Sequence, residues 1–131
     1  QTFGLLWLDL DHFKRINDTY GHAVGDQVLQ VVAEEIRRAT RGGDYAGRFG
    51  GEEFVVIMPD TPTAGARTVM ERLRKGLASR AGELPDAVTV SIGLASSRPG
   101  MDDPDTIFRH ADQALYLAKN KGRDRVDVLE D

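Results

Sequence analysis

Two adjacent carboxylates, Glu52 and Glu53, follow two adjacent glycines, Gly50 and Gly51, and precede Phe54. Like charges at neighbouring positions repel each other unless a positive group lies beside them, and a divalent cation such as Mg²⁺ binds carboxylate oxygens readily. The alternative interpretation is a solvated acidic turn that keeps the edge of a strand soluble. The pair by itself leaves both interpretations open.

The residues on either side of these glycines predict a β-hairpin. Residues 53–58 read Glu-Phe-Val-Val-Ile-Met, a run rich in β-branched and aromatic side chains, and residues 44–49 lead in from the other side. A two-residue Gly-Gly loop is typical of a hairpin, because both central positions of the tight turn need a positive φ, which glycine adopts at little cost. The sequence therefore predicts a tight turn at Gly50-Gly51.

A second acidic pair, Asp9 and Asp11, lies at the end of the nearly continuous apolar run of residues 2–10, which is typical of a strand buried on both faces. A carboxylate within such a strand must be hydrogen-bonded, ion-paired or bound to a metal, because burial otherwise disfavours its charge. Residues two apart on a strand point to the same face, so both acids could project together. Asp11 could equally cap the short helix predicted at residues 12–16.

Asn17 and Asp26 flank a turn-rich connection, which precedes a helix predicted from about Asp26 to Thr40. An amide and a carboxylate together can recognise the Watson–Crick edge of guanine, whose nitrogen-bound hydrogens donate to an acid. The structural alternatives are that Asp26 caps the helix and that Asn17 is an ordinary turn residue.

Cations occur near both acidic groups. Lys14 follows the turn after Asp9, and Lys119 and Arg123 lie one helical turn apart at the end of the last predicted helix. These cations could contact a triphosphate. Alternatively, Lys119 and Arg123 are the cations that a helix dipole favours at its C-terminus. The three histidines lack metal-ligand spacing.

The chain as a whole predicts the order strand, helix, strand, strand, helix, strand, helix, strand, with later helices at residues 63–77 and 102–121 and later strands at 88–94 and 125–129. We expect an α+β fold in which two helices cover one face of a central, mainly antiparallel sheet, as in polymerase palms and nucleotide cyclases. Carboxylates at the end of the central strand and at a neighbouring hairpin suit two-metal phosphoryl or nucleotidyl transfer.

The composition narrows the class of protein. With 131 residues the chain is predicted to form one domain, and without cysteine it has neither disulfides nor thiolate metal sites. The formal net charge of −4 argues against a general nucleic-acid surface, and no apolar run approaches the length of a membrane span. We therefore expect a cytoplasmic domain without nucleic-acid or membrane contacts.

Five short motifs occur along the chain, in residues 9–18, 21–26, 48–54, 90–93 and 111–123. In this order and spacing they resemble the GGDEF domain of bacterial diguanylate cyclases from end to end, with the signature present as Gly-Gly-Glu-Glu-Phe. The resemblance implies that the domain condenses two GTP molecules to cyclic di-GMP with release of pyrophosphate.

The resemblance also implies a metal site. Asp9, the Leu10 carbonyl and Glu52 would hold Mg²⁺ or Mn²⁺, two ions per active site, and Glu53 would lie near the metals or the attacking 3′-hydroxyl. Lys14 would stabilise the transition state. Which of Glu52 and Glu53 acts as the base stays open.

By the same resemblance, an amide and acid pair would bind the guanine of GTP, and cations at the end of the last helix would bind its triphosphate. The full set of residues assigned to the substrate in this way is Asn17, Asp26, Phe13, Gly50, Gly51, Lys119 and Arg123.

Arg41 and Asp44 have an Arg-x-x-Asp form that resembles the family's product-binding inhibitory site, and Arg72 matches a further arginine of that site. Five strand residues before Gly50 would span roughly 17 Å, which would make the site allosteric. Arginine can bind guanine or phosphate with two parallel hydrogen bonds, and aspartate can accept from guanine. The alternative is a helix terminus with glycine breakers and a capping aspartate.

The resemblance covers residues 1–131 as a single catalytic domain. The abrupt start at Gln1 suggests an excerpt from a larger signalling protein, and the helical segment that precedes the domain in the family is absent. One domain would hold one GTP, so the family works as a homodimer, usually downstream of a sensor or receiver domain.

Two other functions remain as alternatives. The chain could be a catalytically silent receptor of cyclic di-GMP, or it could serve mainly as a dimerisation module. Degenerate receptors typically lose the signature carboxylates or the guanine-binding pair. This sequence keeps both sets, which favours the enzyme.

Overall fold

The computed structural model describes residues 3–85, 88–97 and 103–129. Thr2 and Asp102, at which the first strand and the last helix were predicted to begin, lie outside these ranges. Gln1 also lies outside them. Within them the elements follow the predicted order, except that two helices, Phe13–Tyr20 and His22–Ala39, stand where the order had one, and a short 3₁₀ helix, Ala81–Glu83, is added. The strands and α-helices are β1 (Phe3–Leu10), α1 (Phe13–Tyr20), α2 (His22–Ala39), β2 (Tyr45–Arg48), β3 (Glu53–Pro59), α3 (Thr63–Ser79), β4 (Val90–Ser96), α4 (Pro104–Asn120) and β5 (Arg125–Val128).

The strands form one sheet in the order β2-β3-β1-β4-β5. β1 is antiparallel to both of its neighbours, β2 and β3 form the antiparallel hairpin, and only the edge pair β4-β5 is parallel. Leu5, Leu6 and Leu8 of β1 are all at most 1% exposed, because helices cover both faces of this central strand. The predicted α+β fold with a mainly antiparallel sheet is confirmed.

The helices are divided between the two faces of the sheet. Leu6 and Leu8 of β1 belong to the larger core, which includes residues of α1, α2 and α3. Leu5 and Trp7 point to the opposite face and pack with Ile107 of α4. The two long helices α2 and α3 therefore cover one face as predicted, together with the short α1, and α4 covers the other face.

The first two helices meet almost directly. The sequence predicted a turn-rich connection up to Asp26, but α1 continues to Tyr20 and α2 begins at His22, separated only by Gly21 with φ 92°. Asp26 lies inside α2 and does not cap it, so its predicted capping role is wrong. A single glycine with positive φ is enough to separate α1 from α2, so the polar residues before and after it can belong to helices.

The hairpin loop also differs from the prediction. The strands pair up to Arg48 and Phe54, and the loop of residues 49–52 is closed by the Phe49 N–H group, which donates to the Glu53 carbonyl at 2.8 Å. Neither glycine of the loop has a positive φ. The Arg48 guanidinium instead donates to the carbonyls of Gly50 and Gly51, and these bonds stabilise a wider loop than a two-residue turn.

α4 lies unusually close to the sheet at Gly93 of β4. Three alanines of α4, Ala111, Ala114 and Ala118, are fully buried against the sheet. A Cβ at Gly93 would lie 2.1 Å from the Ala111 carbonyl oxygen and 2.3 Å from the Leu115 nitrogen. Helix and strand therefore contact each other backbone to backbone, which fixes the depth of α4 on this face.

Among the described residues, no helix combines the length and the apolar character that crossing a membrane would require.

Candidate active site

Asp9 lies at the end of the central strand, where it pairs in register with Glu53 of β3 on one side and Ser91 of β4 on the other. Its side chain belongs to the α4 face of the sheet and is largely buried. The Nζ atom of Lys119, from α4, donates to Asp9 Oδ2 at 2.5 Å. The buried carboxylate is therefore ion-paired, as its position in an apolar strand required.

The hairpin loop brings Glu52 to the same end of the sheet. The Leu10 N–H group donates to the Glu52 carbonyl at 3.2 Å, which ties the loop to the end of β1. Burial raises the pKa of the Glu52 carboxyl above its ordinary value, and the negative charges of Asp9 and Glu53 raise it further, while Lys119 opposes the shift. Three carboxylates and one ammonium group thus share one electrostatic environment.

Glu53 has a specific partner that the sequence analysis did not identify. The indole Nε1–H group of Trp7 donates to Glu53 Oε1 at 2.7 Å. The indole ring makes edge-on contacts with Phe49 of the hairpin loop, at a centroid distance of 5.2 Å, and with Phe108 of α4, at 6.2 Å. A signal was present in the sequence, because Trp7 and Asp9 are two residues apart on one strand and so point to the same face.

The donor chemistry at this end of the sheet fits a hard divalent cation, because all the available ligands are oxygens: the carboxylates of Asp9, Glu52 and Glu53 and the carbonyl of Leu10. In the described part of the chain, no three acidic or histidine side chains converge closely enough to bind a metal together. One oxygen of Asp9 is bound to Lys119 and one of Glu53 to Trp7. The second carboxylate oxygen of each acid, Asp9 Oδ1 and Glu53 Oε2, is not engaged by these two bonds.

Asn17 lies in a packed environment between the first two helices. A Cβ at Gly25 would lie 1.8 Å from Asn17 Oδ1 and 3.3 Å from the ring of Phe13, so only glycine leaves room for the amide. The Oδ1 atom is buried and has no hydrogen-bond partner within the described residues. An unsatisfied buried amide oxygen is costly, so this amide is available to a ligand.

Asp26 lines a cavity of about 570 Å³ between α2 and the hairpin. The volume is in the range that proteins use for small molecules. The cavity is lined by apolar residues and by three exposed charged residues, Asp26, Arg37 and Arg48; its remaining lining residues are Leu29, Gln30, Ala33, Ile36, Ala46, Gly47 and Phe54.

Two predicted cations do not join the carboxylates. Lys14 is highly exposed and forms an ion pair with Asp18 on its own helix at 2.9 Å, and the hydrogen bond of this pair raises the pKa of the Lys14 ammonium group. Arg123 lies in the turn after α4, is exposed, and has a left-handed φ of 64°. Of the three predicted cations, the structure brings only Lys119 to the carboxylates.

Asp11 does not project beside Asp9. Its buried carboxylate accepts hydrogen bonds from the hydroxyls of Thr89 and Ser91, at 2.7 and 2.6 Å, and from the backbone N–H group of Asp124, at 3.0 Å. Both predicted roles are wrong, because β1 ends at Leu10 and no side chain caps α1. The strand alternation stops one residue before Asp11, which directs it towards β4 instead.

Arg41 and Asp44 contact each other in the connection before β2. The Arg41 N–H group donates to Asp44 Oδ2 at 2.8 Å, and the guanidinium group lies 3.6 Å from Oδ1 and also binds the Thr61 hydroxyl. Asp44 Oδ1 is buried without a hydrogen-bond partner in the described chain. Arg72, from α3, donates to the Ala39 carbonyl at 3.3 Å. The strand register places Asp44 at the end of the hairpin opposite to residues 49–52.

Comparison with known proteins identifies a family. Residues 1–125 match the family described as diguanylate cyclase, GGDEF domain. The chain is 47% identical over 125 residues to diguanylate cyclase DgcP of Pseudomonas aeruginosa, which covers 92% of this chain and 18% of the relative. It is 44% identical over 132 residues to diguanylate cyclase A of Treponema denticola, covering 98% of this chain and 35% of the relative. The chain thus spans about a fifth to a third of the length of these curated relatives.

Solved structures agree with this assignment. The GGDEF domain of DgcB from Caulobacter crescentus in complex with c-di-GMP superposes with a TM-score of 0.88 at 41% identity, over 97% of this chain and 77% of that one. The active GGEEF domain of a diguanylate cyclase from Vibrio cholerae gives a TM-score of 0.90 at 33% identity, over 100% of this chain and 85% of that one. The chain belongs to the diguanylate cyclase GGDEF-domain family.

Proposed function

We propose that this domain condenses two GTP molecules to cyclic di-GMP and releases pyrophosphate in a reaction that depends on Mg²⁺ or Mn²⁺. The observation that carries the proposal is the cluster of Asp9, Glu52 and Glu53 at the end of the central strand, with Lys119 ion-paired to Asp9. Such a cluster suits nucleotidyl transfer, because it combines oxygen ligands for metal with a cation for a phosphate.

The residues that would hold the metals are Asp9, the Leu10 carbonyl, Glu52 and Glu53. Bound divalent cations lower the pKa of a metal-bound hydroxyl and stabilise negative charge on the leaving pyrophosphate. Lys119 compensates the charge of Asp9 in the arrangement described above. A triphosphate would offer this ammonium group a second anionic partner, so we assign the triphosphate to Lys119 together with Arg123.

We assign the guanine to Asn17 and Asp26. The unpartnered amide oxygen of Asn17 and the carboxylate of Asp26 in the cavity lining are both acceptors for guanine hydrogens. Phe13, Gly50 and Gly51 would complete the substrate contacts. Lys14, which would act in the transition state, must leave its exposed ion pair with Asp18 to do so.

Catalysis would require two domains. The product is twofold symmetric and each domain would bind one GTP, so an antiparallel homodimer would bring the two reacting groups together and supply much of the rate through proximity. An upstream sensor or receiver domain would then control activity by controlling whether the domains meet.

The test is chromatographic detection of cyclic di-GMP after incubation of the protein, at high concentration to drive pairing, with GTP and Mg²⁺. Product that is absent when EDTA replaces Mg²⁺ is the expected result. A protein that forms no product but binds cyclic di-GMP would instead be a silent receptor, and one that does neither would leave only a role in dimerisation.

Replacing Trp7 with phenylalanine should slow product formation roughly tenfold or more. Phenylalanine keeps the aromatic contacts with Phe49 and Phe108 but cannot donate to Glu53, and a hydrogen bond to a charged group contributes about 1.5–3 kcal/mol. Initial rates of the W7F variant check this result. Phe108→Leu, which alters the aromatic packing but not the hydrogen bond, is the control, and equal rates for the two variants would contradict a specific role of the indole N–H group.

We also propose that cyclic di-GMP inhibits the domain through Arg41, Asp44 and Arg72. The buried Asp44 Oδ1 atom, which is ion-paired with Arg41 at 3.6 Å but accepts no hydrogen bond within the described residues, can accept from guanine, and the Arg41 guanidinium group can bind guanine or phosphate. The c-di-GMP complex of the related DgcB domain supports product binding in this family.

Arg41→Ala should relieve product inhibition without lowering the initial rate, because Arg41 lies at the end of the hairpin away from the carboxylates. The measurement is the initial rate with increasing amounts of added cyclic di-GMP. Arg67→Ala, on the exposed side of α3, is the matched control and should be inhibited like the unmodified protein. Undiminished inhibition of the R41A variant would remove Arg41 from the site.

A further inference from the structure

The turn that joins α4 to β5 has an unfavourable backbone conformation. Gly122, Arg123 and Asp124 have φ angles of 117°, 64° and 47° in succession. Glycine adopts such angles readily, but two consecutive residues with side chains in the left-handed region are unfavourable. Conformations of this kind persist only where surrounding contacts impose them, and they are concentrated at functional sites.

Three contacts impose this conformation. The Arg123 N–H group donates to the Ala118 carbonyl at 2.9 Å, which closes the end of α4. The Asp124 N–H group donates to Asp11 Oδ2 at 3.0 Å. The Arg74 guanidinium group, from α3, donates to both the carbonyl and the carboxylate of Asp124, at 2.8 and 3.0 Å. The turn is therefore held at once by three parts of the chain: α4, the connection between β1 and α1, and α3.

Both of the side chains that hold the turn are themselves fixed. Asp11 is 6% exposed and also accepts from Thr89 and Ser91, so its carboxylate cannot rotate without breaking hydrogen bonds to β4. The Arg74 side chain is 27% exposed and its guanidinium is also bound by Glu71, one turn earlier on α3. Groups restrained in this way can transmit their position to whatever they bind.

The turn is joined to the same end of β1 as the acidic residues Asp9, Glu52 and Glu53. Asp11 is two residues beyond Asp9, so the turn is attached to the end of β1 that carries the carboxylate cluster. Lys119, four residues before Arg123, reaches Asp9 from the same helix end. The backbone conformation at Arg123 sets the direction in which its side chain leaves the chain.

We propose that Asp11 and Arg74 are positioning residues, which hold the left-handed turn and thereby place the Arg123 side chain for the triphosphate of GTP. This inference depends on the proposed function, because that function assigns the triphosphate to Arg123. Neither Asp11 nor Arg74 touches the substrate in this scheme, and both act through Arg123.

The test is a double-mutant cycle on the whole chain, with the dissociation constant of GTP in the presence of Mg²⁺ as the measured quantity. Arg74→Met should weaken GTP binding about tenfold, and Arg123→Ala should weaken it by at least as much. In the R123A background, Arg74→Met should have almost no further effect, because Arg74 acts only through Arg123. Asp11→Asn should likewise weaken GTP binding in the unmodified chain but have almost no further effect on it in the R123A background.

Arg67→Met is the matched control, since it makes the same change on the exposed surface of the same helix. It should leave GTP affinity unchanged. Circular dichroism during urea unfolding measures how much each variant is destabilised, and Arg74→Lys, which keeps the charge and can still reach one acceptor, replaces R74M if that variant does not fold. An effect of Arg74→Met that is as large with Arg123→Ala as without it would overturn the proposal and leave Arg74 a purely structural residue.

The readout separates this inference from the proposed function. A protein that binds GTP but forms no cyclic di-GMP would refute the cyclase, and the cycle would still decide whether Arg74 acts through Arg123. A protein that does not bind GTP at all would refute both.

Discussion

Glu53→Gln should abolish cyclic di-GMP formation and leave the domain folded. Glutamine has nearly the same shape as glutamate and still offers Oε1 to the Trp7 indole, so the end of the hairpin keeps its structure. It cannot accept a proton from a hydroxyl and is a poorer ligand for a divalent cation. The loss of an acid–base group alone reduces rates by roughly 10²–10⁴-fold, and the weakened metal site adds to this loss.

Initial rates of product formation measure the effect, and urea unfolding followed by circular dichroism checks the fold. Glu34→Gln is the matched control, because it removes a charge from the ion-pair network around Arg80, which joins α2 and α3, and leaves the carboxylate cluster unchanged. It should retain activity. If the E53Q variant still turns over, Glu53 is neither base nor metal ligand, and Glu52 remains the candidate for both roles.

Gly93→Ala should produce the largest loss of stability of any glycine-to-alanine change among the described glycines. The new Cβ would lie 2.1 Å from the Ala111 oxygen, 2.3 Å from the Leu115 nitrogen and 2.9 Å from the Leu115 Cα. All three are backbone atoms, so no side-chain rotation can relieve the clash, and α4 as a whole must move. Overpacking in a core typically costs about 1–3 kcal/mol, and we expect at least the upper value here.

The free energy of urea unfolding measures this cost. Gly82→Ala, where no heavy atom lies within 4 Å of the new methyl group, is the control and should unfold at nearly the same midpoint as the unmodified domain. A variant that remains folded should also lose activity, because a displaced α4 carries Lys119 away from Asp9. Equal midpoints for the two alanine variants would mean that α4 does not lie as close to β4 as described.

The sequence was most informative where local chemistry decides the structure. The apolar run of β1 predicted a strand buried on both faces, and the rarity of an unpaired buried acid predicted a partner for Asp9. Except for the two helices that stand where one was predicted, the order of the elements was also predicted correctly, since periodicity and turn residues depend only on neighbours in the chain.

The errors arose where side-chain contacts decide the structure, whether the partner is distant or close in the chain. Asp9 and Lys119 are 110 residues apart, and periodicity indicates that a residue is buried but not which residue contacts it. The start of α2 was misplaced, because Gly25 and Asn17 look like turn residues, whereas the glycine serves the packing of the amide. The hairpin loop is wider than the predicted two-residue turn, because the Arg48 side chain binds the loop carbonyls.

Asp11 illustrates the same limit. Its spacing from Asp9 suggested a shared face, and its place before α1 suggested a cap, yet its hydrogen-bond partners lie on β4 and in the turn before β5. No local pattern distinguishes an acid that binds a ligand from one that joins three distant segments.

The position of Trp7 has an optical consequence. It is the only tryptophan of the chain, and its indole N–H group binds Glu53 directly while its ring contacts the loop that carries both glycines of the signature. All tryptophan fluorescence of the domain therefore originates beside the carboxylate cluster. A cation or nucleotide that draws Glu53 away from the indole would alter the emission, so the arrival of ligands can be followed in real time without any attached dye.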